Sequence, residues 1–376
     1  MTTEGSVTCP DCARRGLLLS ALAGHIDRSV DGRVGERAKD LLALGDESLV
    51  RAVDPRGESS ALERADDPLA YQRLLDSLRS TGCWSTCVHR SDFPSSLRVL
   101  GEAMPRALFC SGERSALTGA QLDRSVTIVG SRRAGAYGRE IAHELSRLLA
   151  SSGLTVISGM ALGVDSAAHE GALAGGGPTV AVLGAGADRP YPRTRSHLFT
   201  RIRARGTVVS ELPPCSPTFR WVFPARNRLM AAMGAITIVV EAAERSGSLI
   251  TAEMAMEIGR QVGAVPGPVN SWRSGGANRL LADGAAVIRE ARDVLDLLLG
   301  PGAEVPPAYG PPLDGEVRTV LAAVEDGAAT PGAVASQTSL PFPATQAALG
   351  RLERLEYVRS DAAGRLARTA QQAPPP

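Results

Sequence analysis

Between Val126 and Leu183 three short apolar runs, Val126–Val129, Leu154–Ile157 and Thr179–Leu183, alternate with two segments whose apolar residues recur at helical spacing. Short apolar runs bounded by glycine predict buried strands, and the amphipathic stretches between them predict crossover helices. Right-handed crossovers make the three strands parallel, so their C-terminal ends meet at one edge. That edge carries glycine. The first run ends in Gly130-Ser131-Arg132, the second in Ser158-Gly159-Met160 and the third in Gly184-Ala185-Gly186. Glycine lets a ligand approach the backbone closely, and a helix N-terminus adds free N–H groups and positive potential. The edge is predicted to hold phosphate.

The same pattern continues with strands at Thr207–Ser210, Ala235–Glu241, Val262–Pro266 and Ala285–Ile288, and helices at Arg226–Met233, Leu249–Arg260 and Ala291–Leu299. An α/β domain with a parallel sheet is therefore expected over residues 121–300. Ahead of it, helical periodicity at Gly16–Ala23, Gly35–Leu44, Glu47–Val53 and Leu69–Ser80 predicts a separate helical domain over 1–120. The proline-rich residues 301–312 read as a linker. Residues 313–369 predict three short helices and a hairpin turned at Asp361–Gly364, the proportions of a winged helix, and 370–376 are expected to be a disordered tail.

Composition adds mainly exclusions. A chain of 376 residues with net charge +1 has no global attraction for polyanions, so a nucleic-acid surface must be a local patch. Lys39 is the only lysine, and a P-loop needs a lysine at its helix start, so a P-loop NTPase is excluded. Neither a basic leader followed by an apolar run nor an apolar stretch of membrane length is present, which predicts a cytoplasmic protein. Six cysteines in a chain this long argue against a disulfide scaffold. Cys9 and Cys12, followed much later by Cys83 and Cys87, are compatible with a four-thiolate structural zinc site, in which His89 could replace one ligand.

The candidate chemistry centres on cations and rings. Arg132 follows the first glycine, where its forked donors suit a phosphodiester. Tyr191-Pro192-Arg193 and the stretch Phe219 to Arg228 interleave rings with guanidinium groups. Single-stranded nucleic acid is gripped that way, with phosphates on cations and bases on aromatic faces. Ser246, Gly247 and Ser248 open a helix on the same edge, and Asp165 reads as the N-cap of a helix Ser166–Ala174. No nucleophile–base constellation accompanies these residues, and no enzyme is expected.

Eight motifs occur in one order: VGSRRAGAYG, SGMALGVDSAAHEGAL, VLGAGADRPYP, SELPP, FPARNRLMAAMG, VVEAAERSGSLITAEMAMEIGR, VPGPV and GGANRLLADGA. In these the chain resembles the bacterial DNA-processing protein A (DprA, or Smf) family. The resemblance implies an extended Rossmann-like domain, with a helical domain before it and a winged helix after it. It also implies a protein that binds single-stranded DNA in natural transformation and loads the RecA recombinase onto it, here expected to act as a homodimer. Carried over by motif, Arg132, Arg193, Arg226, Asn227 and Arg228 are the expected DNA contacts, with Gly130, Ser131, Ser158, Gly159, Ser246, Gly247 and Ser248 lining the same pocket. The chain departs from the family at Arg195, commonly Asn, and at Gly234, usually Ser. A phosphoribohydrolase-like nucleotide enzyme is the alternative, but the P-G-G-x-G-T-x-x-E pattern it would carry is replaced here by Glu241 to Ser248.

Overall fold

The computed structural model describes residues 7–30, 34–57, 59–302, 311–355, 357–361, 364–369 and 373. The chain forms two compact units, Met1–Glu304 and Val305–Pro376.

The larger unit begins with helices α1 (Pro10–Ser29), α2 (Val34–Ala43), α3 (Asp46–Val53), α4 (Ala61–Asp66) and α5 (Pro68–Thr81). Local chemistry sets the limits of α5. Pro68 opens it where no N–H is needed, Asp67 accepts from the Leu69 N–H at 2.9 Å, and Gly82 closes it in the left-handed region. Strands β1 (Cys83–Cys87) and β2 (Ala107–Gly112) and helix α6 (Arg114–Thr118) follow. Strand and helix then alternate: β3 (Ser125–Val129), α7 (Ala136–Ser151), β4 (Thr155–Ser158), α8 (Val164–Ala174), β5 (Thr179–Val182), α9 (Ser196–Arg205) and β6 (Thr207–Ser210). The series ends with α10 (Val222–Met233), β7 (Ile236–Val239), α11 (Gly247–Glu257), β8 (Gln261–Ala264), α12 (Gly275–Ala282), β9 (Ala286–Val287) and α13 (Ala291–Leu299).

Among the described residues these strands make one nine-stranded sheet in the order β1-β2-β6-β5-β4-β3-β7-β8-β9. From β3 to β9 every pairing is parallel, as the alternating pattern predicts. Strands β3 to β7 are buried on both faces because helices cover each side, which is why they read as unbroken apolar runs. The chain builds outward from β3 to β6 and then crosses back through α10 to add β7 on the other side of β3. In such Rossmann-like sheets the crevice beyond the carboxyl ends of the strands flanking the reversal is where ligands bind. Here that crevice lies between the loops after β3 and β7.

The expected boundary at residue 120 does not coincide with the start of the sheet. β1 and β2, inside residues 1–120, form its antiparallel edge, with Phe109 opposite Ser210 and Trp84 opposite Cys110. The front helices also share a core with the sheet domain: Leu18, Leu22 and Leu49 pack in one cluster with Leu212, Trp221 and Val222, while Leu74 and Leu78 of α5 pack in another with Phe109 of β2. The Trp221 indole donates to the Ala23 carbonyl at 3.0 Å and is buried, and Phe219 lies against Gly24. Phe219, expected on a binding surface, is therefore a packing residue, and so is Trp221, which the sequence leaves open between core and surface.

The smaller unit holds α14 (Gly315–Glu325), α15 (Pro331–Thr338), α16 (Phe342–Arg354) and a hairpin of β10 (Val358–Ser360) and β11 (Leu366–Arg368). Its core gathers Val320, Leu352 and Tyr357, and the Tyr357 hydroxyl donates to the Pro311 carbonyl at 2.7 Å. The expected linker and tail fall largely on residues 303–310 and 370–376, which lie, apart from Ala373, outside the described residues. No helix among the described residues is long and apolar enough to cross a membrane.

Candidate nucleic-acid interface

The loop after β3 is held in place by its neighbours. The Ser131 N–H donates to the Glu241 carbonyl at the end of β7 at 2.6 Å, and the Ser131 carbonyl accepts from Val164 at the start of α8 at 3.2 Å. The Glu241 side chain accepts from the Gly135 N–H at 2.9 Å, so this carboxylate fixes a turn. Gly163 sits at φ 81°, in the left-handed region, and a Cβ there would strike the Ser131 carbonyl. With the backbone pinned on both sides, the Arg132 side chain is thrust outward and exposed.

Beyond this loop opens a cleft of about 690 Å³, lined by Gly130, Ser131, Arg132, Arg133, Tyr191, Arg220, Phe223, Arg226, Asn227, Ser246, Gly247 and Ser248, among others. The Tyr191 and Phe223 rings lie 4.8 Å apart with an interplanar angle of 35°, and the Arg132 guanidinium carbon stands 5.6 Å from the centre of the Phe223 ring. A cation over a ring, with a second ring beside it, offers a phosphate contact and a stacking face together. Across the cleft Ser246 caps α11, accepting from the Ser248 N–H, while the two hydroxyls approach to 2.8 Å. This helix N-terminus adds positive potential to the same space.

Arg226 lies beneath the cleft and is buried. One of its terminal nitrogens donates to the carbonyls of Gly159 and Val182, and Nε has no hydrogen-bond partner. Its other terminal nitrogen is 3.9 Å from Asp165 Oδ2, too far for a hydrogen bond. Burial pulls the Arg226 pKa down to about 10, so it remains a cation at neutral pH. Burial also raises the Asp165 carboxyl above its usual range, against the pull of Arg226. Both members of the pair bear a desolvation cost that their mutual attraction does not cover. A charge kept under the cleft on such terms contributes to the potential that an anion would feel there. Gly159 is what admits it, because any Cβ at that position would run into the Arg226 guanidinium.

The expected residues divide by place. Gly130, Ser131, Arg132, Arg226, Asn227, Ser246, Gly247 and Ser248 share the cleft lining. Arg193 is exposed one residue beyond Pro192, which lines an adjoining recess of about 200 Å³ together with Arg132 and Arg226. Ser158 is fully buried, its hydroxyl donating to the Ile128 carbonyl at 2.7 Å, so it ties β4 to β3 rather than facing a ligand. Arg228 is a second correction. Its Nη2 donates to both carboxylate oxygens of Glu211 at 2.7 Å, Nε to the Ala103 carbonyl at 2.9 Å and Nη1 to the Ala225 carbonyl at 2.9 Å. It is 1% exposed and has no route to a ligand. Asp165 is not an N-cap, since α8 starts at Val164 and Gly163 takes the cap position. Arg195 lies 3.7 Å from Glu170. Arg220, one of the cations of the stretch Phe219 to Arg228, lines the cleft, and so does Arg133, which was absent from the expected set. The signal for Arg133 was adjacency alone, since it follows Arg132.

The cysteines regroup as well. β1 is an extended strand, so Cys83 and Cys87 are about 13 Å apart at about 3.3 Å per residue and cannot share one ion. Cys9, Cys12, Cys87 and His89 converge instead, their candidate ligand atoms all within 4.8 Å of one another.

Residues 84–299 match the model of the DNA recombination-mediator protein A family. The chain is 43% identical over 205 residues to a protein of Mycobacterium tuberculosis named for DNA processing protein DprA, covering 53% of each, so it spans about half the length of that relative. It is 35% identical over 259 residues to the Escherichia coli protein Smf, covering 67% of this chain and 68% of Smf. The structure of DNA processing protein A from Streptococcus pneumoniae superposes with a TM-score of 0.58 at 28% identity, over 76% of this chain and 94% of that one. That from Helicobacter pylori, described for its single-stranded DNA binding mode, superposes with a TM-score of 0.51 at 29% identity, over 57% and 95%. The matched segment contains the sheet reversal, the loop bearing Arg132 and the cap of α11, and the chain belongs to the DNA recombination-mediator protein A family.

Proposed function

We propose that this protein binds single-stranded DNA in the cleft beyond β3 and β7, protects incoming strands during natural transformation, and delivers them to the RecA recombinase. It acts in the cytoplasm as a homodimer and catalyses no reaction on the strand. The observation that carries this reading is the grouping of Arg132, Arg133 and Arg220 around the Tyr191–Phe223 ring pair, with a helix N-terminus opposite. Cations of this kind grip any phosphodiester, and rings stack on any base, so the surface suits an unpaired strand without regard to sequence. A duplex keeps its bases stacked inside and cannot use the rings. Asp165 is the one carboxylate in the cleft lining among the described residues, and Arg226 stands beside it, so no general-acid–base pair faces the space.

Binding through backbone contacts has a salt signature. Each phosphate held on a single strand contributes a log–log slope of about −0.7, so three to five contacts give a slope of about −2 to −3.5. Fluorescence anisotropy of a labelled oligothymidylate across a salt series is expected to return a slope in that interval, with weaker binding to duplex of the same length. A slope near zero, or a preference for duplex, would refute the reading. Release of free base from a nucleoside monophosphate by the purified protein would instead support a nucleotide-processing enzyme.

A further inference from the structure

We infer that Cys9, Cys12, Cys87 and His89 form a structural zinc site that staples the first helix to the edge of the sheet. The His89 Nδ1 lies 3.4 Å from the Sγ of Cys9 and 3.4 Å from that of Cys12, and the Cys87 and Cys9 sulfurs are 4.0 Å apart. Zinc bonds to sulfur at about 2.3 Å and to nitrogen at about 2.0–2.1 Å, so the edges of a zinc tetrahedron are about 3.8 Å between sulfurs and about 3.5 Å between sulfur and nitrogen. These three separations are close to the dimensions of those edges, and all four ligand atoms lie within 4.8 Å of one another. The sulfur separation is not that of a disulfide, whose sulfurs are about 2.05 Å apart.

The local backbone brings these four residues together from opposite ends of a long segment. Cys9 is the residue before α1 and Cys12 lies in its first turn, while Cys87 ends β1 and His89 sits two residues on. Thr8 holds the approach: its N–H donates to the Ser85 hydroxyl at 3.0 Å, and its carbonyl accepts from the Tyr71 hydroxyl at 2.7 Å. Cys12 and Cys87 are buried in a cluster with Leu74, Leu78 and Phe109, so two ligands reach the site from the interior, while His89 closes it from the solvent side. Four protein ligands in a closed shell mark a structural ion rather than a catalytic one.

The chemistry of the donors agrees with the geometry, because a divalent cation offsets the mutual repulsion of thiolates held this close together. Thiolate with imidazole is a ligand set that suits zinc. None of the four residues lines the DNA cleft, so the inference stands apart from the proposed function.

The test uses the full-length protein purified from zinc-supplemented cells. Elemental analysis is expected to give one zinc ion per chain, and X-ray absorption a shell of three sulfurs and one nitrogen. Cys83→Ser is expected to keep the full complement, and Cys87→Ser to lose most of it. Chelation is expected to lower the thermal midpoint of the wild-type chain. Wild-type protein that is metal-free with six titratable thiols, or that lacks two thiols through a disulfide, would overturn the inference. So would loss of the ion from Cys83→Ser while Cys87→Ser retained it. The absorption and thiol measurements need only the wild type, so a variant that fails to fold does not leave the question open.

Discussion

Replacing Arg228 with alanine is expected to destabilise the larger unit by about 3–5 kcal/mol, the usual cost of removing one partner from a buried ion pair. The guanidinium is 1% exposed and holds both oxygens of Glu211, so truncation leaves a carboxylate and the Ala103 carbonyl without their donor. A further consequence separates this residue from the cleft. Removing Glu211 as well, as Arg228→Met with Glu211→Gln, should recover much of the loss, because no charge is then left stranded. Thermal unfolding of the single and double variants checks the point, with a fall of roughly 10 °C expected for the single change. A wild-type melting curve together with lost DNA binding would show instead that Arg228 reaches the ligand.

Arg132→Ala should leave the fold intact and weaken single-strand binding by about tenfold to a hundredfold, the loss of one hydrogen-bonded charge contact of about 1.5–3 kcal/mol. Arg132 is exposed and its loop is pinned through backbone groups, so truncation takes nothing from the core. The loss should be equal on homopolymers and mixed sequences, because a phosphate carries no base information. It should also flatten the salt slope by about 0.7, one phosphate's share. Titration of matched oligonucleotides at several ionic strengths reads both effects. A loss confined to one sequence would mean that Arg132 reads a base edge.

The contrast between these arginines shows what the sequence could and could not disclose. Strands β3 to β7 were legible because burial on both faces writes them as unbroken apolar runs, and the glycines after β3 and β4 marked the binding edge. Arg226 and Arg228 look equivalent in the motif, but positions two apart on a helix point to different sides. One therefore lies under the cleft, and the other is buried against Glu211. A usable clue was present: from Leu229 to Met233 the helix is entirely apolar, so it is enclosed on all sides and its arginines with it. Phe219 was misplaced and Trp221 was left undecided for a related reason, since a ring beside cations reads the same whether it faces solvent or an adjoining helix. What decided the matter was the front helices packing on α10, a long-range contact without local periodicity. The antiparallel edge was missed likewise, because β1 and β2 pair across the long connection 88–106, which holds a 3-10 helix at Ser95–Ala103, and lie outside the alternating strand–helix pattern. Cys83 was grouped with Cys87 by spacing alone. The intervening Trp84-Ser85-Thr86, aromatic and β-branched, already favoured an extended strand that separates the two.

The claim on which the function rests is that an unpaired strand occupies the cleft at the sheet reversal. Hydrogen exchange of the full chain, free and saturated with oligothymidylate, tests it most directly. The account predicts slowed exchange in peptides spanning 130–133, 191–193, 220–224 and 246–251, the segments that line the cleft or adjoin it. Unchanged exchange in all four, with protection confined to residues 311–369, would contradict it.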